Sequence, residues 1–403
     1  MEAENSTIVI GAGISGSCTA YHLNKAGWDV TLIDERKEDD IKIYSNPAVC
    51  VYPKIMLNDL SFNKLMLLST DYVWSLIKII GLKEKSTRMV GAIHLYEKKD
   101  GTSRYAKLIK NGSYTSNDIE LIDHEIIKKC FGIIGYVGFY FKKGGWINPK
   151  ALCKKLIQDK NIKKVFSSKI ISVDRFQGHW KVLTEDKKNF TAKNIIFCSG
   201  SDIKNYKYFN ALKFDEYRGQ VDWLSGNKQR FNEVLSNDGY VIPNVNEKII
   251  FGSSYEKNNF DTEPLQTDTE NNINKLKKLM PNINTSHLDP KIKSWAGQRA
   301  ASFDKKPYVG RILKTRDALI SPTKYSANDL DWYEGLFINT CYGSRGFSFA
   351  PLASLSLAKL ITGNINDNDN DNDNDKFILN YLNPERQYFK QQGMKKKGVS
   401  FNL

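Results

Sequence analysis

Three glycines set between two short apolar runs constrain this chain most. Ile8 to Ile10 reads as a buried parallel strand, and Gly11, Gly13 and Gly16 follow at GxGxxG spacing. A helical pattern then runs through Ala20, Tyr21, Leu23 and Ala26 and stops at Gly27. Val30 to Ile33 reads as a second strand with Asp34 at its tip, closing a βαβ unit. Gly11 allows a tight turn, Gly13 lets a pyrophosphate approach the backbone, and Gly16 lets the helix pack close to the strand. The helix N-terminus turns N–H groups and a positive dipole toward the phosphates. Asp34 is placed to accept hydrogen bonds from a ribose. Arg36 and Lys37 suit a 2′-phosphate, but Asp34 argues against one. The unit predicts a dinucleotide site and leaves open whether the dinucleotide is FAD or NAD.

A chain of 403 residues has room for one large domain or two interleaved ones. No uninterrupted apolar stretch is long enough to span a bilayer, and the N-terminus enters the fold with no secretory pattern. Cys18, Cys50, Cys130, Cys153, Cys198 and Cys341 are scattered without a CxxC pair. That usage fits reduced thiols in the cytoplasm and predicts no metal site. The formal net charge of +14 has two readings. One is a lysine-rich solvated surface; the other is a polyanionic partner such as nucleic acid.

Further along, Ser45 to Lys54 holds two prolines and reads as a structured loop. Phe62 to Ile80 predicts a core-facing helix stopped by Gly81, and Ile119 to Phe131 a shorter one. Val90 to Tyr96 and Tyr136 to Lys142 read as strands. Pro149 opens a helix over 150–158, and strands are expected at 164–166, 170–175, 180–184 and 190–197. The last of these ends in Cys198-Ser-Gly200. A second β-rich stretch includes Tyr217 to Trp223, Gly239 to Pro243 and Lys248 to Ser253, followed by a helix from Thr269 to Met280. Trp295 to Arg299 and Pro307 to Gly310 bracket a loop. Gly335 to Gly346 reads as a strand and a glycine turn that feed a helix from Ala350 to Ile361. The Asn-Asp repeat after Ile365 has the composition of a disordered insert. The tail, Asn383 to Leu403, carries Lys395-Lys-Lys397 and reads as either a solvated end or a nucleic-acid contact.

The order of the nucleotide unit, the Cys-Ser-Gly strand end and the Gly-Ser-Arg-Gly turn resembles the FAD-dependent D-amino-acid-oxidase superfamily, which includes glycine and sarcosine oxidases. Further motifs narrow the resemblance: Asn46-Pro47 with Tyr52-Pro-Lys54, Gly144-Gly-Trp146 with Pro149, Arg218-Gly-Gln-Val221, Gly239-Tyr-Val-Ile-Pro243, Gly252-Ser-Ser-Tyr255, Gly343-Ser-Arg-Gly346 with Ala350-Pro351, and Leu382-Asn-Pro384 with Arg386. Together they are similar to the C-terminal oxidase domain of the tRNA wobble-uridine modification enzyme MnmC. The family loop usually reads Gly-Asn-x-x-Gly, where this chain has Ser45 and Val49. Met1 lies six residues before the first strand, so an oxidase without the methyltransferase domain is expected.

The resemblance implies an α/β fold in which a Rossmann-type FAD-binding domain is interleaved with an antiparallel-sheet substrate domain. The expected FAD-binding domain is 1–65, 145–215 and 335–363, and the expected substrate domain is 66–144 and 216–334. A disordered insert at 364–376 and a basic tail at 377–403 complete the expectation. FAD is implied as cofactor, held by Gly11, Gly13, Gly16, Asp34, Ser45, Asn46, Gly200, Gly343, Ser344, Gly346 and Phe347. The implied reaction oxidises 5-carboxymethylaminomethyl-(2-thio)uridine in tRNA. Hydride passes from the glycine Cα to the flavin, water hydrolyses the imine to glyoxylate and 5-aminomethyluridine, and O2 takes the electrons. A small-molecule glycine or sarcosine oxidase is the alternative. None of the five histidines sits in a recognisable catalytic motif.

Arg299, in Ala-Gly-Gln-Arg, falls where glycine-oxidase relatives place a carboxylate-binding arginine; a structural salt bridge is the other reading. Tyr240 resembles the tyrosine that assists it, or is a strand tyrosine of the core. Arg345 and the helix after it are expected to stabilise reduced flavin. Lys54, Lys305 and Lys306 are candidates for promoting reaction with O2 or for phosphate contact.

Overall fold

A computed structural model describes residues 4–225, 229–283, 292–314, 331–365 and 373–386. The chain divides into two compact units, one from 1–41, 153–216 and 299–403 and the other from 42–152 and 217–298. Residues 42–65, expected in the nucleotide-binding domain, fall in the second unit, and the described residues from 299 onward fall in the first.

The first unit is built on a six-stranded sheet in the order Tyr308–Leu313, Trp332–Thr340, Asn194–Phe197, Ser6–Ile10, Asp29–Ile33, Ile162–Val165. Every pairing is parallel except that of the first two strands. The strands expected at 164–197 therefore separate. The first joins the sheet edge and the last its centre, while Ile170–Phe176, His179–Thr184 and Asn189–Ala192 form a small antiparallel sheet of their own. Ile8, Ile10, Ile195, Phe197, Leu336 and Ile338 pack into one core with Trp180 and Phe209. Both faces of a central parallel strand are covered, which is why these runs are continuously apolar instead of alternating.

The second unit carries a nine-stranded sheet, mainly antiparallel, with Val234–Ser236 and Ala92–Glu97 as its parallel pair. A short three-stranded sheet joins Val49–Val51, Gly145–Ile147 and Thr87–Met89. Leu60–Ile80 is a helix whose ends match its sequence: the Asp59 carboxylate accepts the Phe62 N–H at 2.9 Å, and Gly81 closes it at φ 63°.

Several expectations change. The span 119–131 is a strand, Glu120–Ile122, then a helix, His124–Phe131, capped by Asp123 on the Glu125 N–H. The Asp cap breaks a pattern that reads as one helix. Lys98–Lys110 is a helix that its lysines conceal, because only one turn-spaced face is buried, at Gly101 and Leu108. The segments flanking the loop near 300 are strands, Lys293–Ser302 and Tyr308–Leu313. The Asn-Asp stretch is ordered at its end, as a helix Asp373–Leu382. Asp375 is buried there, accepting from Ser356 Oγ at 2.6 Å and Lys359 Nζ at 2.7 Å. The expected basic tail is packed through Arg386, which is 5 % exposed. Residues 366–372 and Lys395–Lys397 lie outside the described residues.

Candidate active site

The glycine loop has a separate reason at each position. A Cβ on Gly16 would lie 1.7 Å from the Gly11 carbonyl oxygen, and one on Gly11, at φ 97°, would lie 2.8 Å from the Cys198 oxygen. These two glycines are required by the protein's own packing of helix Ile14–Lys25 against strands Ser6–Ile10 and Asn194–Phe197. A Cβ on Gly13 would meet nothing within 4 Å. Gly13 begins the helix without a side-chain cap, and the first turn holds no acid. Open space, bare backbone and a positive helix end therefore coincide at Gly13, as a pyrophosphate requires.

Asp34 is buried, and its carboxylate accepts the Ala12 N–H at 2.8 Å and the Arg36 N–H at 2.9 Å. It thus ties the strand tip to the glycine loop. A carboxylate has about four acceptor sites, so capacity remains for a ribose. Beside it, a cavity of about 540 Å³ is lined by Glu35, Arg36, Ser167, Lys169, Glu185 and Asp186.

Gly200, at φ 62°, starts a 3-10 turn, and its carbonyl accepts Thr340 Oγ1 at 3.1 Å. Gly343, at φ 57°, and Ser344 form the turn before helix Gly346–Ile361. Ser344 is exposed and Phe347 buried. A Cβ on Gly346 would sit 3.2 Å from Ile14, so this helix and the nucleotide helix come together at their N-termini. Neither has an acid in its first turn. Asn339 joins them below: its Nδ2 donates to Thr19 Oγ1 and to Ser354 Oγ, each at 2.9 Å, and its Oδ1 accepts the Tyr342 hydroxyl. In the first unit the structure thus brings together the two glycine turns, Asp34 and Gly200.

Arg299 and Arg345 also belong to the first unit. Arg299 is half-buried on strand Lys293–Ser302; Arg345 Nη1 approaches the Lys305 carbonyl at 3.4 Å. Lys306 instead sets its ammonium 3.8 Å over the Tyr381 ring. Tyr240, Ser45 and Asn46 belong to the second unit. Tyr240 is half-buried at the start of strand Tyr240–Val245. Ser45 is exposed, whereas Asn46 is buried with its side chain accepting the Ala48 N–H at 3.2 Å. Val49 is accommodated as a strand residue opposite Ile147.

Two buried networks account for motifs that sequence reasoning left without a role. Arg218 is fully buried and pairs with Asp268, while Gln220 donates to Asp222 at 3.0 Å and Thr269 at 2.8 Å. Asn272 completes the set on Asp222 at 2.6 Å. This network fastens strand Phe214–Ser225 to helix Gln266–Leu279. Arg386 grips Asp304 with two bonds, at 2.8 and 2.6 Å, and donates to the carbonyls of Lys306 and Pro307. Burial opposes the charge of Asp304, yet Arg386 holds its carboxyl down at about 2. The Asn-Pro-x-Arg motif is therefore a clamp on the turn that carries Lys305 and Lys306.

Among the described residues no group of His, Cys, Asp and Glu is arranged to hold a metal ion, and no helix is long and apolar enough to cross a membrane.

Comparison with known proteins follows this geometry. The family described as FAD dependent oxidoreductase matches residues 6–360. The bifunctional protein MnmC of Methylobacillus flagellatus, named for tRNA 5-methylaminomethyl-2-thiouridine biosynthesis, is 24% identical over 96% of this chain and 60% of its own length. The chain thus spans somewhat over half of the curated relatives it matches. Among solved structures, glycine oxidase of Bacillus cereus aligns with a TM-score of 0.72 at 16% identity, covering 89% of this chain and 95% of its own. L-proline dehydrogenase of P. horikoshii aligns at 0.75 and 17%, covering 98% and 99%. At these identities the two structures speak for the fold alone.

Proposed function

This chain belongs to the FAD dependent oxidoreductases, and on that premise we propose that it removes the carboxymethyl group of 5-carboxymethylaminomethyl-(2-thio)uridine at the tRNA wobble position. The products are 5-aminomethyl-(2-thio)uridine and glyoxylate, with O2 as electron acceptor. The observation that carries the reading is the match to the MnmC protein along 96% of this chain. The net charge of +14 agrees with a polyanionic substrate.

The residues present fit FAD. Gly13 leaves space that the protein does not use, Asp34 retains acceptor capacity, and two helix N-termini without acids meet at Gly346 and Ile14. Gly11, Gly13, Gly16 and Asp34 would hold its pyrophosphate and ribose. Gly200, Gly343, Ser344, Gly346 and Phe347 would complete the site in the first unit. Bound FAD supplies the hydride acceptor.

Arg299 grips the substrate carboxylate, because a guanidinium fork meets a carboxylate in two places and fixes the adjacent carbon. Tyr240, in the second unit, is the tyrosine that the resemblance makes a hydroxyl donor to substrate. Arg345, at the head of helix Gly346–Ile361, adds positive charge where negative charge develops. An amine that arrives neutral needs no general base.

The fold shared with glycine oxidase favours a second reading, a small-molecule amine oxidase. The test is mass spectrometry of wobble nucleosides after incubating FAD-loaded protein with hypomodified tRNA. Loss of the carboxymethyl group supports the first reading. Peroxide release from glycine or sarcosine, with tRNA unchanged, supports the second.

A further inference from the structure

In the second unit, strand register aligns three side chains that sequence reasoning never connected. Ser236 lies opposite Tyr240 on one side and opposite His94 on the other. Directly opposed residues project from the same face of a sheet. Their neighbours Leu235, Val241, Ile93 and Leu95 all turn into the core on the other face. The His94 ring confirms the row, with Nδ1 2.8 Å from Ser236 Oγ.

The row is aromatic and basic at its margin; Ser236 is buried, and Tyr52 and Tyr240 rest on a core of Ala92, Val234 and Ile242. The His94 ring centroid lies 4.7 Å from that of Tyr96 and 6.3 Å from that of Tyr52, the latter ring inclined by 29°. His94, Tyr96, Tyr52 and Tyr240 are all part-exposed. The Arg104 guanidinium sits 5.5 Å from the Tyr96 ring and also bonds Asp100. Burial, then Lys54, then Arg104 hold the His94 pKa down to about 4, so the imidazole is neutral near pH 7. A neutral imidazole has one donor and one acceptor nitrogen. With Nδ1 engaged by Ser236, Nε2 takes the other role, donor or acceptor, set by the serine's own orientation. Uracil offers both a donor N–H and acceptor carbonyls on one edge, so either tautomer reads it.

We propose that Tyr240 and His94, the latter oriented by the buried Ser236 and flanked by Tyr52 and Tyr96, read the pyrimidine ring that carries the aminomethyl chain, with Lys54 and Arg104 meeting the adjoining phosphates. This rests on the functional reading above and names the residues that set its specificity for a nucleobase. A small amine needs its carboxylate gripped and has nothing to place along an aromatic strip beyond Tyr240. A base has a π-face for the rings and an edge for the imidazole.

The test uses FAD-loaded full chain and fluorescein-labelled anticodon stem-loops, one with uridine and one abasic at the wobble position. Fluorescence anisotropy gives the two dissociation constants. The native chain should prefer uridine by about tenfold, the scale of one stacked and hydrogen-bonded base. His94→Phe and Ser236→Ala should each cut that preference to about threefold or less, with flavin absorbance kept and the thermal midpoint lowered by only a few degrees, as the loss of one buried hydrogen bond requires. Ser236→Ala removes one oxygen and serves where the histidine variant fails to fold. A structural role would weaken both RNAs alike and leave the ratio unmoved, which overturns the inference. A native chain that oxidises tRNA yet shows no preference for uridine overturns it too, and spares the functional reading. A native chain that neither binds nor oxidises the RNA overturns both.

Discussion

Asn339 and Thr19 stand 320 residues apart and share a fully buried hydrogen bond of 2.9 Å. Thr19 lies on the nucleotide helix; Asn339 ends the strand that leads into the second glycine turn. The same amide binds Ser354 at 2.9 Å and accepts from Tyr342. One side chain thus holds the two glycine turns in register.

Asn339→Ala leaves several buried polar groups without a partner. Each unsatisfied group costs about 1–3 kcal/mol, so the expected loss is on the order of 3 kcal/mol, read by urea denaturation. Thr19→Val should cost less. The double variant should lose less than the sum, because the two share one bond.

Gly13 and Gly16 separate packing from cofactor binding. Gly16→Ala places a Cβ against a backbone carbonyl that has no room to yield, so the protein should be recovered poorly folded and without flavin absorbance. Gly13→Ala meets nothing in the protein, and its apo form should melt as the native apo form does. Its FAD affinity should fall by about tenfold or more, since the methyl group occupies the approach to the helix N-terminus. Native affinity in Gly13→Ala would remove Gly13 from the cofactor site.

Arg299→Ala should retain FAD, seen by absorbance, and lose about a hundredfold or more in kcat/KM, because a carboxylate left without its charged partner loses both binding and orientation. Near-native kinetics would assign Arg299 to a structural ion pair.

Glu385 predicts an unusual pH dependence. Burial raises its carboxyl from 4.5 to about 7, against the Leu313 N–H and Arg386, which lower it. The folded state therefore holds this proton more tightly than the unfolded chain. Its stabilising contribution is complete below pH 4.5 and is lost as the pH rises through 7. That loss is on the order of 3 kcal/mol. Glu385→Gln should flatten the stability profile between pH 4.5 and 7 and melt higher than the native chain at pH 8. An unchanged profile would show that Glu385 ionises freely.

The nucleotide-binding unit was legible because its constraints are local. Gly11 and Gly16 meet within one loop and Asp34 follows one strand later; in the second unit, Gly81 likewise stops the helix it adjoins. The helix Lys98–Lys110 was hidden because its polar face dominates its composition. The ordered end of the Asn-Asp run was hidden because Asp375 is buried only through its partners, Ser356 and Lys359. Arg218 and Arg386 stood out as motif residues, yet their anchoring roles depend on Asp268 and Asp304, far away in the chain.

By itself, the amino-acid sequence determined the βαβ turn, the helix ends and the apolar strands, since each follows from steric and hydrogen-bonding needs of residues a few positions apart. The tertiary structure alone decided which distant side chains share a surface. Packing of the nucleotide helix on the sheet brings Thr19 to Asn339, and strand register sets His94 beside Ser236 and Tyr240. A shift of one residue in that register would turn His94, Ser236 or Tyr240 to the opposite face of the sheet.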